Sequence, residues 1–217
     1  MKKIRTLEDL NQMLSDDLVW RKKELSDLIS LIENKSFAPS KHNAVLRSGI
    51  ALLYAHWEGY IKNAATYYLE YVSRQKLTYE ELSVNFIAIA MKSKLNEATE
   101  TNKATIFTEV TTLLLTQGSN RSSIPYKDII STSNLSSSVL HEIICILGLD
   151  YSFYQSKQVI IDEQLRGRRN MIAHGESLPY LSLYREVYRE LQVQILVMME
   201  DFRTQVENHA VQELYRR

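Results

Sequence analysis

Residues 165–176, LRGRRNMIAHGE, concentrate side chains that can bind and cleave a phosphodiester. The stretch holds three arginines, an amide and an imidazole: Arg166, Arg168, Arg169, Asn170 and His174. Arginine can hold a phosphate and offset the extra negative charge of a transition state. A neutral imidazole can take the proton of an adjacent 2′-hydroxyl, and a protonated imidazole can protonate the leaving oxygen. Asn170 can orient the phosphate or a histidine by hydrogen bonding.

A solvated helix surface is the competing interpretation of these residues. Such surfaces are often rich in arginine, and a histidine near a helix C-terminus gains about 0.3–1 kcal/mol from the helix dipole alone. A metal site is not predicted, because the five histidines are scattered and no HExxH or Cys–His pairing occurs: His42, His56, His141, His174 and His209. No cofactor is predicted either.

The predicted helix of about 157–174 separates an apolar face from a polar one. At about 100° per residue, the apolar face toward the core contains Ile161, Leu165 and Ile172. A sector of about 60° on nearly the opposite side contains Glu163, Gly167, Asn170 and His174. Arg169 lies about 140° from His174 on this wheel, so its long side chain must bend round the helix to share a cleft.

Gly167 is unexpected inside a helix, where glycine costs about 1 kcal/mol relative to alanine. Glycine is tolerated where another backbone comes close. The simplest such neighbour is the same helix of a second copy across a two-fold axis. The sequence therefore predicts a homodimer with Gly167 and Glu163 at the contact and the motif residues doubled around one cleft.

Helical spacing of apolar residues dominates the rest of the chain and predicts an all-α, up-and-down helical bundle in one domain, residues 1–217. Helices are predicted at about 4–32, 43–74, 78–95, 136–147, 157–174 and 180–208. Residues 103–116 fit either a helix or a strand, and residues 117–136 form a polar, exposed loop. Gly175 is expected to end the helix that carries the motif, and Pro179 to begin the next helix.

Composition limits the range of functions. The 26 basic and 26 acidic residues balance, so any site for a polyanion must be local. The single cysteine, Cys145, lies in an apolar helical run and is predicted to be a buried, inert thiol. The N-terminus does not resemble a signal peptide, and no window reaches the roughly 18 apolar residues of a membrane span. These features predict a cytoplasmic protein.

Glu58, in the stretch AHWEGYIK, is a candidate partner that orients the motif arginine. The alternative is a surface pair with Lys62 at i,i+4, worth about 0.3 kcal/mol. His56 is expected to pack or cap rather than to catalyse. The tyrosines at 67, 68 and 71 could stack on bases, but their helical spacing favours packing in or near the core.

The stretch RRNMIAHGE matches the Arg-x4-6-His motif of the HEPN family, whose common form is Arg-Asn-x-x-x-His. Arg169, Asn170 and His174 fill all three positions. The wider chain resembles the RiboL-PSP-HEPN group, the MAE-type HEPN-like nucleases. Three stretches carry this resemblance, over roughly residues 5 to 215: LLYAHWEGYIKNAATYYLEYV, LRGRRNMIAHGESLP and DFRTQVENHAV.

The resemblance implies a dimeric helical bundle with the motif at its interface. It implies metal-independent RNA cleavage in prokaryotic toxin–antitoxin or defence systems, with catalytic roles for Arg169 and His174 and a supporting role for Asn170. Arg166 and Arg168 are expected to bind RNA, and an antitoxin or a defence complex is an expected partner. The family also contains inactive members that bind proteins or nucleotides, so a non-enzymatic dimer remains an alternative, and a metal-dependent nuclease is a further rival.

Overall fold

A computed structural model describes residues 3–99, 103–116, 118–127, 129–130, 134–176 and 184–217. These residues form α-helices, one π-helix and no strand apart from two isolated β-bridges. The α-helices are α1 (Leu7–Ile32), α2 (Pro39–Arg74), α3 (Val84–Thr99), α4 (Ala104–Thr116), α5 (Ser137–Leu147), α6 (Ser152–Gln155), α7 (Arg168–Ala173) and α8 (Arg185–Val211), and the π-helix spans Ile160–Gly167. The predicted all-α fold is confirmed.

The long helices begin where the local sequence favours a helix N-terminus. Thr6 caps α1 in a capping box: its side chain accepts from the Asp9 backbone N–H while the Asp9 carboxylate reaches back to Thr6. Pro39 begins α2, which confirms the prediction that this proline marks the helix start, although the apolar stripe predicted the helix only from about residue 43. The last helix begins at Arg185 after an extended Tyr184. The predicted start of that helix, with Pro179, lies outside the described residues.

Helix α2 is the centre of the bundle and packs against α1, α5, α7, α8 and the π-helix. Trp57, Tyr60 and Ile61 on α2 are fully buried. The tyrosines at 67, 68 and 71 are also buried, so the prediction that they pack is confirmed. Because α2 contacts the motif segment directly, its residues fix where the motif side chains can point.

In the middle of the chain, the structure decides between the helix and strand predictions for one segment and moves the start of another helix. Residues 104–116 form a helix, and α3 begins only at Val84, six residues after the predicted start. The region of 117–136 was predicted to be an exposed loop, and this is wrong in part. Its described apolar residues pack into the core: Ile124, Ile129, Ile130 and Leu135.

The C-terminal tail neither extends α8 nor frays. Tyr215 is buried, and its ring packs edge-on against Tyr71 with centroids 5.8 Å apart. The Ser83 backbone N–H donates to the Tyr215 carbonyl at 2.9 Å, and the Arg217 N–H donates to the Glu81 carbonyl at 3.0 Å. The tail is therefore held by packing and by the turn before α3.

The predicted single α-helix over 157–174 is wrong. The segment is divided into a π-helix followed by the short α7. A π-helix bonds i to i+5 and turns less per residue, so wheel positions before Arg168 shift relative to those after it. Ile161 and Leu165 are nevertheless fully buried, and Ile172 packs against the core as predicted.

The prediction that the Cys145 thiol is buried is also wrong. The thiol is exposed, and its sulfur lies 3.7 Å from the His141 Nε2 one turn away. Although α5 is apolar on average, its buried positions are at 140, 143, 144 and 147, which leaves Cys145 on the open side. No helix within the described parts of the chain combines the length and apolar character needed to cross a membrane.

Candidate active site

Helix α7 ends with a Schellman motif that fixes His174 at the C-cap. Gly175 has φ +77°, the left-handed conformation that glycine adopts without strain, and it ends the helix as predicted. The Glu176 N–H donates to the Met171 carbonyl at 3.0 Å, and the Gly175 N–H donates to the Ile172 carbonyl at 3.1 Å.

Arg47 on α2 holds the end of α7 from the side. Its Nη1 donates to the Glu176 carbonyl at 2.6 Å and its Nη2 to the Ile172 carbonyl at 3.4 Å. A guanidinium at a helix C-terminus bonds carbonyls that lack helical partners and opposes the negative end of the dipole. The backbone of His174 is therefore fixed both by its own turn and by α2.

Arg169 points toward α2. Its guanidinium carbon lies 4.1 Å from the centre of the Tyr54 ring, a cation–π contact. Its Nη2 is 3.9 Å from the Glu58 Oε2, and its Nη1 donates to the Asn170 Oδ1 at 2.9 Å. A ring, a carboxylate and an amide thus restrict one guanidinium.

Glu58 has more than one partner. Its Oε1 accepts from Lys62 Nζ and from the backbone N–H of Asn134, both at 2.8 Å. The pair with Lys62 and the approach to Arg169 therefore coexist. Because Asn134 lies near the end of the polar region of 117–136, Glu58 also fixes that part of the chain beside the motif.

Tyr54 is the neighbour of Arg169 that the sequence alone did not indicate. Its side chain is only 2 % exposed, and burial raises its pKa to about 12, with Glu58 adding to the rise and Arg169 opposing it. The phenol therefore stays protonated at neutral pH. Its spacing of four residues before Glu58 places both on one face of α2, which was the available sequence signal.

The His174 side chain is not tied to Arg169 in the single chain. The residue is exposed, and among the described residues its side chain makes no hydrogen bond or ion pair with Arg169, Asn170 or Glu58. Its backbone N–H donates to the Asn170 carbonyl at 2.9 Å. Within one copy of the chain, direct contacts therefore link Arg169 to Asn170 and Glu58, and no hydrogen bond or ion pair among the described residues links them to the imidazole.

The other two arginines differ in their surroundings. Arg166 Nε lies 3.5 Å from the Asp162 Oδ1, so its charge is partly compensated. The Nη1 of Arg168 is buried and has no hydrogen-bond partner among the described residues, and burial lowers the pKa of its guanidinium. Of the two predicted RNA-binding arginines, Arg168 has no acidic partner among the described residues, whereas Arg166 has Asp162.

Gly167 has a local reason to be glycine. A Cβ at this position would lie 3.1 Å from the Asp162 carbonyl oxygen, five residues back in the π-helix. This is tighter than ordinary van der Waals contact, so a side chain at this position would require the π-helix backbone to shift by a few tenths of an ångström. Glu163, the other predicted dimer contact, is exposed.

His56 packs between α1 and α2, as expected. It is 4 % exposed, its Nε2 lies 2.9 Å from the Glu24 carboxylate, and its ring meets Trp20 edge-on at 5.3 Å.

Among the residues that the structure describes, no three His, Cys, Asp or Glu side chains are grouped closely enough to hold a metal ion.

An all-α chain with Arg-Asn-x-x-x-His on a helix packed against a central long helix has the features of a HEPN-type domain. A protein-family model described as HEPN_MAE_28990-like HEPN matches residues 10–215. The chain belongs to this family, which confirms the resemblance seen in the sequence. No curated protein and no solved structure matched the chain.

Proposed function

We propose that this protein is a metal-independent endoribonuclease that leaves 2′,3′-cyclic phosphate and 5′-hydroxyl ends. The complete motif in a HEPN-family chain carries the proposal, since HEPN members that retain this motif are associated with RNA cleavage. In prokaryotes, such an activity fits a toxin–antitoxin or antiviral defence system, in which an antitoxin or defence partner would control it.

The geometry is consistent with a different task for each motif residue. Arg169, restricted by Tyr54 and Glu58, would present its guanidinium to the scissile phosphate with little freedom to lose on binding. His174, exposed at a fixed helix end, would move the protons of the 2′-hydroxyl and the leaving oxygen. Asn170 would hold the guanidinium through its side-chain oxygen.

A second copy of the chain would complete the site. In the single chain, Arg169 is turned toward α2 and the exposed His174 makes no hydrogen bond to it among the described residues, so His174 of one protomer would lie near Arg169 of the other. A homodimer around a two-fold axis would form two such pairs in one cleft. The exposed Glu163 and the partly exposed Gly167 lie on the segment that would form this contact.

Cleavage of RNA in EDTA tests the proposal. The wild-type chain should cleave single-stranded RNA with the chelator present, and enzymatic end analysis should find cyclic phosphates. His174→Ala should lower the rate at least about 100-fold, the usual contribution of a proton-transfer group. His141→Ala, which removes another exposed histidine, is the control and should cleave normally.

A non-enzymatic HEPN dimer that binds a protein or a nucleotide is the second candidate. No hydrogen bond or ion pair joins the His174 side chain to Arg169 among the described residues, so a chain could keep the motif without a working catalytic pair. Tight binding of RNA or nucleotide without any cleavage would support this candidate. Activity that disappears in EDTA would instead indicate a metal-dependent nuclease.

A further inference from the structure

A second concave site lies at the other end of α2 and is lined mainly by cations. The cleft has a volume of about 480 Å³ and is lined by Arg5, Ser73, Arg74, Lys76, Arg121 and Tyr126. It lies far from the motif, because the 16 residues from Glu58 to Arg74 span about 24 Å along the helix. The two positions also differ by about 160° around α2. The cleft is therefore a separate feature.

The charges of the cleft do not cancel. Arg74 pairs with the buried Glu70 at 2.7 Å. Arg5, Lys76 and Arg121 are exposed and have no carboxylate partner among the described residues. Since the whole chain has a net charge of zero, this is a local excess of about three positive charges.

Hydrogen bonds to backbone groups fix the walls of the cleft. Gln75 Nε2 donates to the Arg5 carbonyl at 3.3 Å, and the Ile4 N–H donates to Glu70 at 3.4 Å. On the other wall, the Ser122 N–H donates to the Leu77 carbonyl at 2.9 Å. The three unpaired cations thus project from anchored backbone.

Tyr126 and Arg74 close the floor of the cleft. Arg74 Nη2 donates to the Tyr126 hydroxyl at 3.4 Å, and the guanidinium carbon lies 5.9 Å from the ring centre. The Tyr126 ring also packs against the hydrophobic core. These contacts occupy the Tyr126 ring. The cleft therefore offers positive charge but no free aromatic face on which a base could stack.

Lys76 adopts a backbone conformation that is unusual for lysine. It follows the C-cap Gln75 and has φ +61°, the left-handed region in which glycine or asparagine is usual after a helix. The dipole at the α2 C-terminus favours cations such as Arg74 and Lys76. It does not explain Arg5 and Arg121, which reach the cleft from two other parts of the chain.

We propose that this cleft binds the phosphodiester backbone of a nucleic acid strand without reading its sequence. Several separate cations in an open groove match successive phosphates, and the cleft has no free aromatic face to stack on a base. The proposal goes beyond cleavage at the motif and does not depend on it, because backbone binding needs no reacting group.

Anisotropy titrations of the full chain with a labelled 2′-O-methyl oligonucleotide test the proposal. The probe, about 12 nucleotides long, is within the usual site sizes and has no free 2′-hydroxyl to support cleavage. The variant is Arg5→Gln, Lys76→Gln and Arg121→Gln together, measured between about 50 and 200 mM salt. Loss of three phosphate contacts should make the slope of log K against log salt shallower by about 2 and weaken binding about 100-fold at 0.1 M salt.

A control variant that loses the same number of positive charges distinguishes binding at the cleft from an effect of net charge. Lys23→Gln, Lys92→Gln and Lys157→Gln remove three cations that do not line the cleft, and this variant should bind nearly as tightly as wild type. Circular dichroism melts check that both variants fold. Should the cleft variant be unstable, Arg121→Gln alone should reduce the slope by about 0.7.

Each other outcome overturns the proposal. Equal losses in the cleft and control variants would mean that only net charge matters. An unchanged slope in the cleft variant would exclude phosphate contacts there. Binding of pyrophosphate that depends on the three cations, together with oligonucleotide binding that does not, would assign the cleft to a small phosphorylated ligand. Because the probe is not cleaved, none of these results depends on nuclease activity.

Discussion

At the scale of residues, the surroundings of Arg169 explain how a flexible arginine can act as a fixed cation. The guanidinium packs on the Tyr54 ring, approaches Glu58 and donates to Asn170. An arginine side chain loses about 2 kcal/mol of rotamer entropy when it is immobilised. Contacts that immobilise it before substrate arrives move that cost from binding to folding.

Tyr54 should act on cleavage through its ring and not its hydroxyl. Tyr54→Phe keeps the face under Arg169, so the cleavage rate should stay near wild type. Tyr54→Leu removes a cation–π contact of about 0.5–2 kcal/mol, which predicts a loss of about 2- to 30-fold in kcat/KM. Steady-state kinetics on an RNA substrate, with thermal melts of both variants, measure this. A similar loss in both variants would assign the effect to the hydroxyl instead.

The sequence predicted the motif residues but not their neighbours. Arg169, Asn170 and His174 were identifiable because their spacing is a family pattern. Tyr54 was not, since an aromatic residue on an apolar stripe usually signals packing and nothing local marks the arginine above it. The exposure of Cys145 was missed for a related reason: an apolar run does not reveal which side of a helix its neighbours leave open.

At the scale of elements, the π-helix determines how the motif is presented. Asp162 in the π-helix accepts from the backbone N–H of Ser137 at 2.9 Å and also from the Ser137 hydroxyl. This fixes the π-helix to the first turn of α5. The periodic pattern of the sequence could not reveal this geometry, because a π-helix changes the angle per residue while preserving an approximately helical spacing of apolar residues.

Asp162→Ala should destabilise the fold by removing this link. The Ser137 N–H would lose its acceptor, and an unsatisfied, partly buried donor costs about 1–3 kcal/mol. Urea unfolding followed by circular dichroism measures the free energy of unfolding. Glu163→Ala, on the same helix but exposed, is the matched control and should change it by less than about 0.5 kcal/mol. Equal effects of the two substitutions would show that the link to α5 contributes little.

The interface between α1 and α2, where His56 is buried, should make the free energy of unfolding depend on pH. Burial lowers the pKa of His56 below its ordinary value of 6.5; Arg21 lowers it further, and Glu24 and Asp17 oppose the shift. In the window between the folded pKa and about 6.5, the unfolded chain binds more protons. The free energy of unfolding should therefore have its highest value above that window and decrease as the pH drops through it.

Urea titrations across this window test the assignment to His56. Wild type should lose stability on acidification, and His56→Gln should lose less, because glutamine does not titrate. Burial also lowers the pKa of His209, so some of the slope should persist in the variant. Identical slopes in the two proteins would show that His56 is not the group responsible.

The long elements were the most predictable part of the fold. Apolar periodicity and caps located α1, α2 and α5 closely, because these helices bury one continuous stripe. The region of 117–136 was misjudged, since its polar composition conceals Ile124, Ile129, Ile130 and Leu135, which pack into the core one at a time. Non-local burial of isolated apolar residues leaves no period in the sequence.

At the scale of the whole molecule, the untied His174 side chain motivates a functional unit larger than one chain. The backbone of the motif helix is held by its own cap and by Arg47, so within one chain only side-chain rotation can bring His174 toward Arg169. Association of two copies can instead bring His174 of one protomer to Arg169 of the other. We therefore expect a mass of twice the 25.2 kDa chain in solution at micromolar concentration.

Mixing two inactive variants tests whether the site is shared between copies. Arg169→Ala and His174→Ala should each be inactive alone. If Arg169 of one protomer works with His174 of the other, a mixed dimer retains one intact pair. An equal mixture forms about half mixed dimers, so about a quarter of wild-type activity should return.

The control for this mixture is a doubly substituted chain. Mixing Arg169→Ala/His174→Ala with His174→Ala supplies no intact pair and should restore nothing. Light scattering should show that every mixture remains dimeric, so that a failure to associate is not mistaken for a failure to complement. No recovery in properly mixed dimers would mean that each protomer uses its own Arg169 and His174. The exposed His174 side chain would then turn toward Arg169 of its own chain when RNA binds.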